Sequence, residues 1–234
     1  GLAEWRYDEQ KSLSEQAFRF QQHGAPQQEA TRLAMSLSRY PVEDVQYAAY
    51  RMDGMDSERQ QRYLDALTSD NMLRVYSAPD VESDTVTPWF NTQWKEQPPT
   101  TTGQALDGLA LPEPNPFIAS DLTLQAGQDE QPSTLIETPT FTAWHMQDSR
   151  FNTPSVEWRV SLQHPSASYS AEEAVLMRLL AGWLNDSLNE SLYPAWLAGQ
   201  SFSAYAHARG MTLSFSGWRD GQTPLIEQAI EQLQ

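Results

Sequence analysis

The clearest pattern of apolar and polar positions lies in the last third of the chain. Apolar and polar residues alternate over 156–162, which is typical of an antiparallel strand with one buried face. Ser170 and Glu173 have the spacing of a capping box, and apolar residues at helical spacing follow as far as Leu188, which predicts a long helix. Further elements are predicted in the order short helix, two strands and final helix, over 194–199, 202–207, 211–218 and from Thr223 onward.

The first third of the chain is predicted to be mostly helical. Proline can occupy the first turn of a helix, and glycine commonly follows the last turn, so Gly24 and Gly54 are predicted to end helices. The predicted helices are Glu4 to Gln22, Pro26 to Leu37, Pro41 to Met52, and one capped by Asp56 or Ser57 that continues to Leu67. The five residues 72–76 are then predicted to form a short strand.

The middle of the chain is rich in proline. Nine of the 15 prolines lie between Pro79 and Pro139, which makes long helices and central strands improbable there. Aromatic residues such as Trp89, Phe90 and Trp94 are interspersed, and a free linker would not need them. We therefore expect this segment to pack on a domain surface as far as about Leu124.

These elements together predict an α+β fold, in which helices cover antiparallel sheets. We expect two incomplete α/β lobes, one over residues 1–124 and the other over 141–234. The polar stretch 125–140 is predicted to be the linker between them. Each incomplete lobe would leave a sheet edge unpaired, so we expect the isolated chain to self-associate.

Composition narrows the classes of function. The formal net charge of −16 makes binding to nucleic acid unfavourable, and we expect no membrane partner because no apolar run is long enough to span a bilayer. The chain has no cysteine, which removes disulfides, thiolate zinc ligands and cysteine nucleophiles. The acidic charge is interpreted first as a means of solubility, and a preference for basic peptides is a further hypothesis.

Residues that could carry chemistry are few and scattered, so we predict no catalytic, cofactor-binding or metal-binding residue in this chain. The four histidines lack helical zinc-motif spacing, although His145, Asp148 and His164 could meet on adjacent strands. Ser187 lies near a helix end and is interpreted as a capping residue, since a nucleophile needs a positioned base. Two pairs of acidic residues lie at predicted first helical turns, where they interact favourably with the helix dipole; the pairs are Glu43/Asp44 and Glu172/Glu173. The aromatic segment from Trp89 to Trp94 is expected to pack locally.

Several segments, taken together and in order, are more specific than any of these signals. The segment from Asp186 to Gly199 reads DSLNESLYPAWLAG, and it is followed by SFSAY and then by GMTLSFSGW. Earlier in the chain stand the matching segments 17–20, 40–45, 89–94 and 111–118. In this combination the chain resembles the pitrilysin/insulysin family of zinc metallopeptidases over almost its whole length.

The resemblance implies that the chain is a central slice of a larger protein. Family members contain four similar α/β units, and this chain resembles the later part of the second unit, 1–124, and the first part of the third, 141–234. The zinc and its catalytic glutamate belong to the first unit, on an inverted His-x-x-Glu-His motif, and no family site residue maps onto this chain. The helix over 171–190 would occupy the place of the zinc helix without carrying any histidine.

The function implied is indirect. The chain would form a non-catalytic part of the wall of a chamber that encloses peptides, with zinc in the missing unit of the parent. Its partners would be peptide substrates and the other units of the same parent chain, and the family suggests a periplasmic location. Two alternatives remain: a peptide-binding or assembly module of an inactive family member, and an independent hydrolase with an unrecognised site.

Overall fold

The computed structural model describes residues 3–22, 24–98 and 106–233. The described residues form two compact units. The smaller unit contains Ala3, Glu4 and the described part of Gly54–Pro112, and the larger contains the described parts of Trp5–Asp53 and Glu113–Gln234. This division does not follow the predicted boundaries at 124 and 141, which remain a proposal.

The elements follow one another along the chain in this order. The first part contains α1 (Glu4–Arg19), α2 (Pro26–Ser36), α3 (Ser57–Asp65), and the two-residue strands β1 (Thr85–Val86) and β2 (Gln93–Trp94). The later part contains β3 (Ser133–Glu137), β4 (Thr142–His145), β5 (Ser155–Gln163), α4 (Ala171–Asn189), α5 (Tyr193–Leu197), β6 (Ser201–His207), β7 (Gly210–Trp218) and α6 (Gln222–Leu233). Short 3₁₀ turns occur at Ala48–Tyr50, Ser69–Asn71, Pro165–Ser168 and Arg219–Gly221.

All the strand pairs in the described residues are antiparallel, which confirms the α+β class. β1 pairs with β2, β3 pairs with β4, and the largest sheet has the order β5-β7-β6. Among the described residues, no helix combines the length and the apolarity that a membrane span requires.

Local capping explains where two of the helices begin. The side chain of Ser170 accepts a hydrogen bond from the backbone N–H of Glu173 at 3.2 Å, as the capping-box spacing predicts. The carboxylate of Asp56 accepts from the backbone N–H of Arg59 at 2.9 Å, so Asp56 is the cap of α3. Both bonds satisfy N–H groups that a helix start would otherwise leave without a partner.

The core of the larger unit lies between the largest sheet and the helices on one of its faces. β7 supplies Leu213 and Phe215 from the middle of the sheet, and α4 and α6 close over them with Leu184 and Leu225, whose side chains are fully buried. The cluster is extended by Phe117, Ala181, Leu188, Leu192, Ala195, Ala198, Ala204, Met211 and Ala229. The strands and helices that the sequence predicts in the last third of the chain are therefore confirmed, and their apolar sides pack into one core.

The predicted helix from Pro41 to Met52 is not formed. Turns over 42–47 and one 3₁₀ turn replace it. Val42, which was to lie on its apolar face, is exposed, and a short helix gains most of its stability from packing such a face. The segment is held instead by aromatic contacts from Phe18, whose ring centroid lies 4.9 Å from that of Tyr47 and 5.5 Å from that of Tyr50.

Two further predictions for the middle of the chain are wrong. Residues 72–76 form no strand, because no described segment pairs with them, and Leu73 and Val75 are left exposed. Trp89 and Phe90 do not pack locally, since each is 88% exposed at the tip of the β1–β2 hairpin. A third difference concerns the predicted linker 125–140, which contains β3 in a hairpin with β4.

The segment 115–121, which we call the anchored segment, does pack on the larger unit, as the proline-rich region was expected to. The Asn115 side-chain amide donates to the carbonyl of Pro194 at 2.8 Å, and Phe117 enters the core. The buried side chain of Gln16 in α1 donates to the carbonyl of Ala119 at 2.9 Å. The anchored segment therefore connects α1 to the region around α5.

Asp220 fixes the end of the anchored segment. Its Oδ2 accepts three hydrogen bonds, from the backbone N–H of Ser120 at 2.7 Å, the hydroxyl of Ser120 at 2.9 Å and the backbone N–H of Asp121 at 2.9 Å. These bonds hold the pKa of Asp220 below its ordinary value, with the bond from Asp121 contributing most. Arg219 lies beside the pair and forms an ion pair with Asp121.

We expect Asp220→Asn to reduce the acid sensitivity of the larger unit. A carboxylate whose pKa is lowered by folding adds stability above its unfolded pKa, and this stability is lost as the pH falls through the folded pKa, here below about 4. Urea midpoints measured between pH 6 and pH 2.5 should therefore fall less steeply in the variant. Some slope will remain, because the pKa of Asp121 is also lowered, chiefly by hydrogen bonds from Thr123. Equal slopes in the two proteins would contradict the assigned role of Asp220.

Candidate functional site

The largest sheet has one face that no described helix covers. Along β7, Met211, Leu213 and Phe215 point towards the helices, so the alternating Thr212, Ser214 and Ser216 point to the opposite side. The register places polar side chains of β5 and β6 beside them. We call this surface the open face; its members are Glu157, Arg159, Ser161, Ser201, Ser203, Tyr205, His207, Thr212, Ser214 and Ser216. Thr212, in the middle strand, is only 6% exposed between the side chains of the neighbouring strands.

The open face is rich in hydroxyl groups arranged in rows across the three strands. One row aligns Ser161 of β5, Thr212 of β7 and Tyr205 of β6. In another row, the hydroxyls of Ser201 and Ser216 lie 2.7 Å apart and hydrogen-bond to each other. Each hydroxyl can both donate and accept a hydrogen bond, so the exposed hydroxyls of this surface can bind water or other polar groups in more than one orientation.

Charge is balanced on the open face, although the chain as a whole carries −16. Among its members, Glu157 is the acid and Arg159 is the base, and the two form an ion pair in which Arg159 Nε lies 2.9 Å from Glu157 Oε1. The hydrogen bond to Glu157 raises the pKa of Arg159. The excess acidic charge of the chain therefore lies elsewhere.

His207 and Ser161 lie close together on the open face, but they do not form a base and nucleophile. The Nδ1 of His207 accepts a hydrogen bond from the backbone N–H of Arg209 at 3.2 Å, so in neutral His207 the proton is on Nε2. That Nε2 lies 3.4 Å from the hydroxyl of Ser161 and can only donate to it. A serine nucleophile needs the opposite arrangement, with the ring nitrogen accepting the hydroxyl proton.

The residues considered for a metal site are each engaged by a different neighbour. Asp148 hydrogen-bonds to Arg150, which lowers the pKa of Asp148 to about 2. His145 Nδ1 lies 4.0 Å from an oxygen of Asp129, and His164 Nδ1 accepts from the backbone N–H of Ser166 at 3.2 Å. His23 lies outside the described residues. Within the described ranges, no group of three or more His, Cys, Asp or Glu residues could hold a metal ion, so these residues do not fit zinc.

The remaining candidates also have structural partners. The Ser187 hydroxyl donates to the carbonyl of Leu184 at 3.2 Å, within α4, which agrees with a local role at the helix end. Glu172 and Glu173 lie in the first turn of α4, as predicted. Asp44 lies in a turn, not at a helix start, and forms an ion pair with Arg51 at 3.2 Å.

Sequence reasoning did not identify the open face. The signal was present, because serines alternate with apolar residues along the predicted strands 202–207 and 211–218. Alternation identifies a polar side of a sheet, but it does not show whether helices from another part of the chain cover that side. The structure supplies this information.

Comparisons with known proteins agree with one another. A family model described as the middle or third domain of peptidase M16 matches residues 18–234. Insulin-degrading enzyme of Homo sapiens is 29% identical over 245 residues, covering 100% of this chain and 24% of the relative, and that of Drosophila melanogaster is 26% identical, covering 100% and 25%. Nardilysin of Homo sapiens is 24% identical over 237 residues, covering 96% of this chain and 20% of the relative.

A solved structure shows the same fold. The crystal structure of pitrilysin matches with a TM-score of 0.79 and 20% sequence identity, covering 99% of this chain and 26% of that chain. The chain therefore spans about a quarter of the length of the insulin-degrading enzymes and of the pitrilysin chain that it matches.

Proposed function

This chain belongs to the M16 peptidase family, also known by its members pitrilysin and insulysin, as the middle or third domain, and from that premise we propose that it is a non-catalytic part of the wall of a peptide-enclosing chamber. The parent would be a zinc metalloendopeptidase whose zinc lies in a unit outside this chain. Its partners would be peptide substrates and the other units of the same polypeptide.

The open face is the observation that carries the proposal. The opposite side of the sheet is apolar and packs against α4 and α6, so the open face is the side of this sheet that can border a water-filled space. Its hydroxyl rows can hydrogen-bond to the backbone of an extended peptide, either directly or through water. A surface of this kind tolerates many peptide sequences, because backbone groups are common to all of them.

The charge balance of the open face changes one expectation. The acidity of the chain was a reason to expect a preference for basic peptides, but on this face Glu157 and Arg159 offset each other. A peptide passing over the open face would meet no net charge. We therefore propose that this wall does not select peptides by their charge, and that the acidic residues of the chain serve its solubility.

In this proposal the zinc chemistry lies in another unit of the parent, in keeping with the finding that no group of His, Cys, Asp or Glu among the described residues could hold a metal ion. α4, which we propose to be the counterpart of the zinc helix, carries leucine, methionine and tryptophan and has no histidine. No catalytic step is assigned to the residues of this chain. Periplasmic location remains a proposal, and one matched relative is named as peroxisomal.

The proposal can be tested by placing charge on the open face of the full-length parent. Ser203 and Ser214 are paired in register, so Ser203→Lys with Ser214→Lys adds two positive charges at one point. We expect kcat/KM for basic peptides to fall about fivefold relative to acidic peptides of equal length, because positive charge repels basic substrates. The zinc content of the parent should remain unchanged.

A matched control adds the same two charges elsewhere. Gln10 of α1 and Gln61 of α3 are exposed, and Gln10→Lys with Gln61→Lys should leave the ratio of basic to acidic peptide cleavage unchanged. An unchanged ratio in the open-face variant would refute the chamber-wall proposal. A parent that binds no zinc and cleaves no peptide would support the alternative of an inactive family member.

A further inference from the structure

The outer edge of β6 is closed at its centre by a side chain. β6 is a terminal strand of the largest sheet, whose order is β5-β7-β6. Asn185 of α4 bonds to both backbone groups of Ala204, in the middle of β6: its Nδ2 donates to the Ala204 carbonyl at 2.8 Å, and its Oδ1 accepts from the Ala204 N–H at 2.8 Å. We propose that Asn185 keeps the outer edge of β6 from binding an extended peptide by strand addition.

Backbone geometry identifies the groups on this edge. In an antiparallel pair, alternate residues direct their N–H and C=O groups to the partner strand, and the residues between them direct theirs away from it. Both groups of Ala204 bond to Asn185, so Ala204 belongs to the outward set, as do Phe202 and Ala206 two positions to either side. An extended peptide adds to a sheet by bonding to such a row of outward groups, and within the described ranges no strand occupies this one.

The carboxamide of Asn185 takes the place of one residue of an added strand. It offers an acceptor and a donor in one plane, as a peptide group does, and it makes both of the bonds that an added strand would make at Ala204. Its other Nδ2 hydrogen bonds to the carbonyl of Ala181, one turn earlier in α4, at 2.9 Å, which holds the side chain in this position. Asparagine is a weaker helix former than alanine, so helix formation does not explain its presence inside α4.

There is space for a peptide beside this edge. A cavity of about 420 Å³ lies against the first half of β6, and its lining includes Asn185, Phe202 and Trp196. This volume is within the range of ligand-binding pockets, roughly 300–1,000 Å³. Trp196 and Tyr193 are both exposed, and their stacked rings, 5.8 Å apart between centroids, offer an apolar surface to a peptide side chain. A peptide in this cavity would lie beside Phe202 and would meet Asn185 where it continued along β6.

An extended peptide is the partner that Asn185 excludes, and this choice of partner rests on the proposed chamber function. A wall that bordered unfolded peptides and carried an open strand edge would hold them by their backbones, whereas a closed edge lets them pass. A second copy of this chain fits less well as the excluded partner. Two copies that paired through β6 would have to displace Asn185 on both sides, and each carries a net charge of −16 that repels the other.

Hydrogen exchange of the segment 201–207 in the full-length parent tests the inference. The probe is a short blocked peptide of alternating threonine and valine, added in excess with a chelator present so that it is not cleaved. In Asn185→Ala we expect the peptide to slow exchange of this segment by at least about fivefold, because newly paired amides are protected. Asn189→Ala is the matched control, since Asn189 is exposed one turn later in α4 and lines the same cavity. The control and the unsubstituted parent should change by less than about 1.5-fold on addition of the peptide.

A peptide with methyl groups on alternate backbone nitrogens cannot pair along one edge, and it should give no protection in Asn185→Ala. If Asn185 only satisfies the backbone of Ala204, Asn185→Ala will exchange faster and will not respond to peptide, and the inference is overturned. Protection of the unsubstituted parent by peptide, or protection of the variant that follows protein concentration alone, would overturn it too.

A second variant keeps the test decisive if Asn185→Ala does not fold. Asn185→Ser can bond to the carbonyl of Ala181 within the helix but is too short to reach β6, so it should respond to peptide in the same way. Neither readout depends on zinc or on cleavage. A failure here would therefore leave the chamber-wall proposal to the open-face variants, and a failure of those variants would leave the closed edge of β6 standing.

Discussion

Replacing Phe215 by alanine is expected to lower the free energy of unfolding of the larger unit by about 3–5 kcal/mol. Phe215 lies on the central strand β7 and is 1% exposed. Its ring packs beside that of Phe202, at 5.2 Å between centroids, within the cluster closed by Leu184 and Leu225. Truncation would remove the buried ring and leave a cavity where strand and helices meet.

Urea unfolding followed by backbone hydrogen exchange in β5, β6 and β7 would measure this loss. If the alanine variant does not fold, Phe215→Leu should fold and show a smaller loss in the same direction, because it keeps most of the apolar volume. Phe90→Ala is the control, since Phe90 is exposed and its removal should change stability by less than about 0.5 kcal/mol. Equal losses at Phe215 and Phe90 would contradict the assignment of the core.

The part of the fold that the sequence predicts well is the part whose signals are local and mutually consistent. Ser170 and Glu173 cap α4 as their spacing predicts, and alternation identifies β5, β6 and β7 as strands. The partners of these elements lie within about 80 residues of each other in the same unit, so local pattern and tertiary packing agree.

The predictions that failed required partners that the described residues do not supply. The segments 41–52 and 72–76 carry apolar residues in suitable patterns, yet Val42, Leu73 and Val75 are exposed, and neither a helix face nor a strand edge is paired there. Pattern alone specifies what an element could bury, whereas its formation depends on a surface to bury it against. β3 is the opposite case, a strand that formed where the sequence predicted a linker. It formed because the turn between Thr138 and Phe141 brings β4 alongside it as a pairing partner.

The candidate site was predictable only in its parts. The alternation of serine with apolar residues identified polar positions, but the open face exists because α4 and α6 both lie on the other side of the sheet. The state of His207 was also beyond sequence reasoning, because it depends on the backbone N–H of Arg209 reaching Nδ1. Residue type therefore indicated which reactions were possible, whereas the position of a backbone N–H determines which ring nitrogen of His207 carries the proton and so whether it can act as a base.

Gly210 is the position at which the smallest substitution is expected to have one of the largest effects. It begins β7 with φ of 152°, and a Cβ built on it would lie 1.9 Å from the backbone carbonyl oxygen of Leu162. That oxygen belongs to β5, so Gly210→Ala would force β5 and β7 apart where Gln163 pairs with Gly210. We expect a loss of about 3 kcal/mol or more, because the clash is with backbone that no rotamer change relieves.

Gly182 provides the control that separates this clash from the general effect of replacing glycine. It lies in α4, is exposed, and has no atom within 4 Å of a built Cβ, so Gly182→Ala should raise stability by about 0.5–1 kcal/mol through helix propensity. Urea midpoints compare the two variants, and hydrogen exchange should show faster opening of β5 in Gly210→Ala alone. Similar midpoints for both variants would mean that β5 can withdraw from β7 without cost, and the open face would then lack the rigid three-strand frame on which its hydroxyl rows depend.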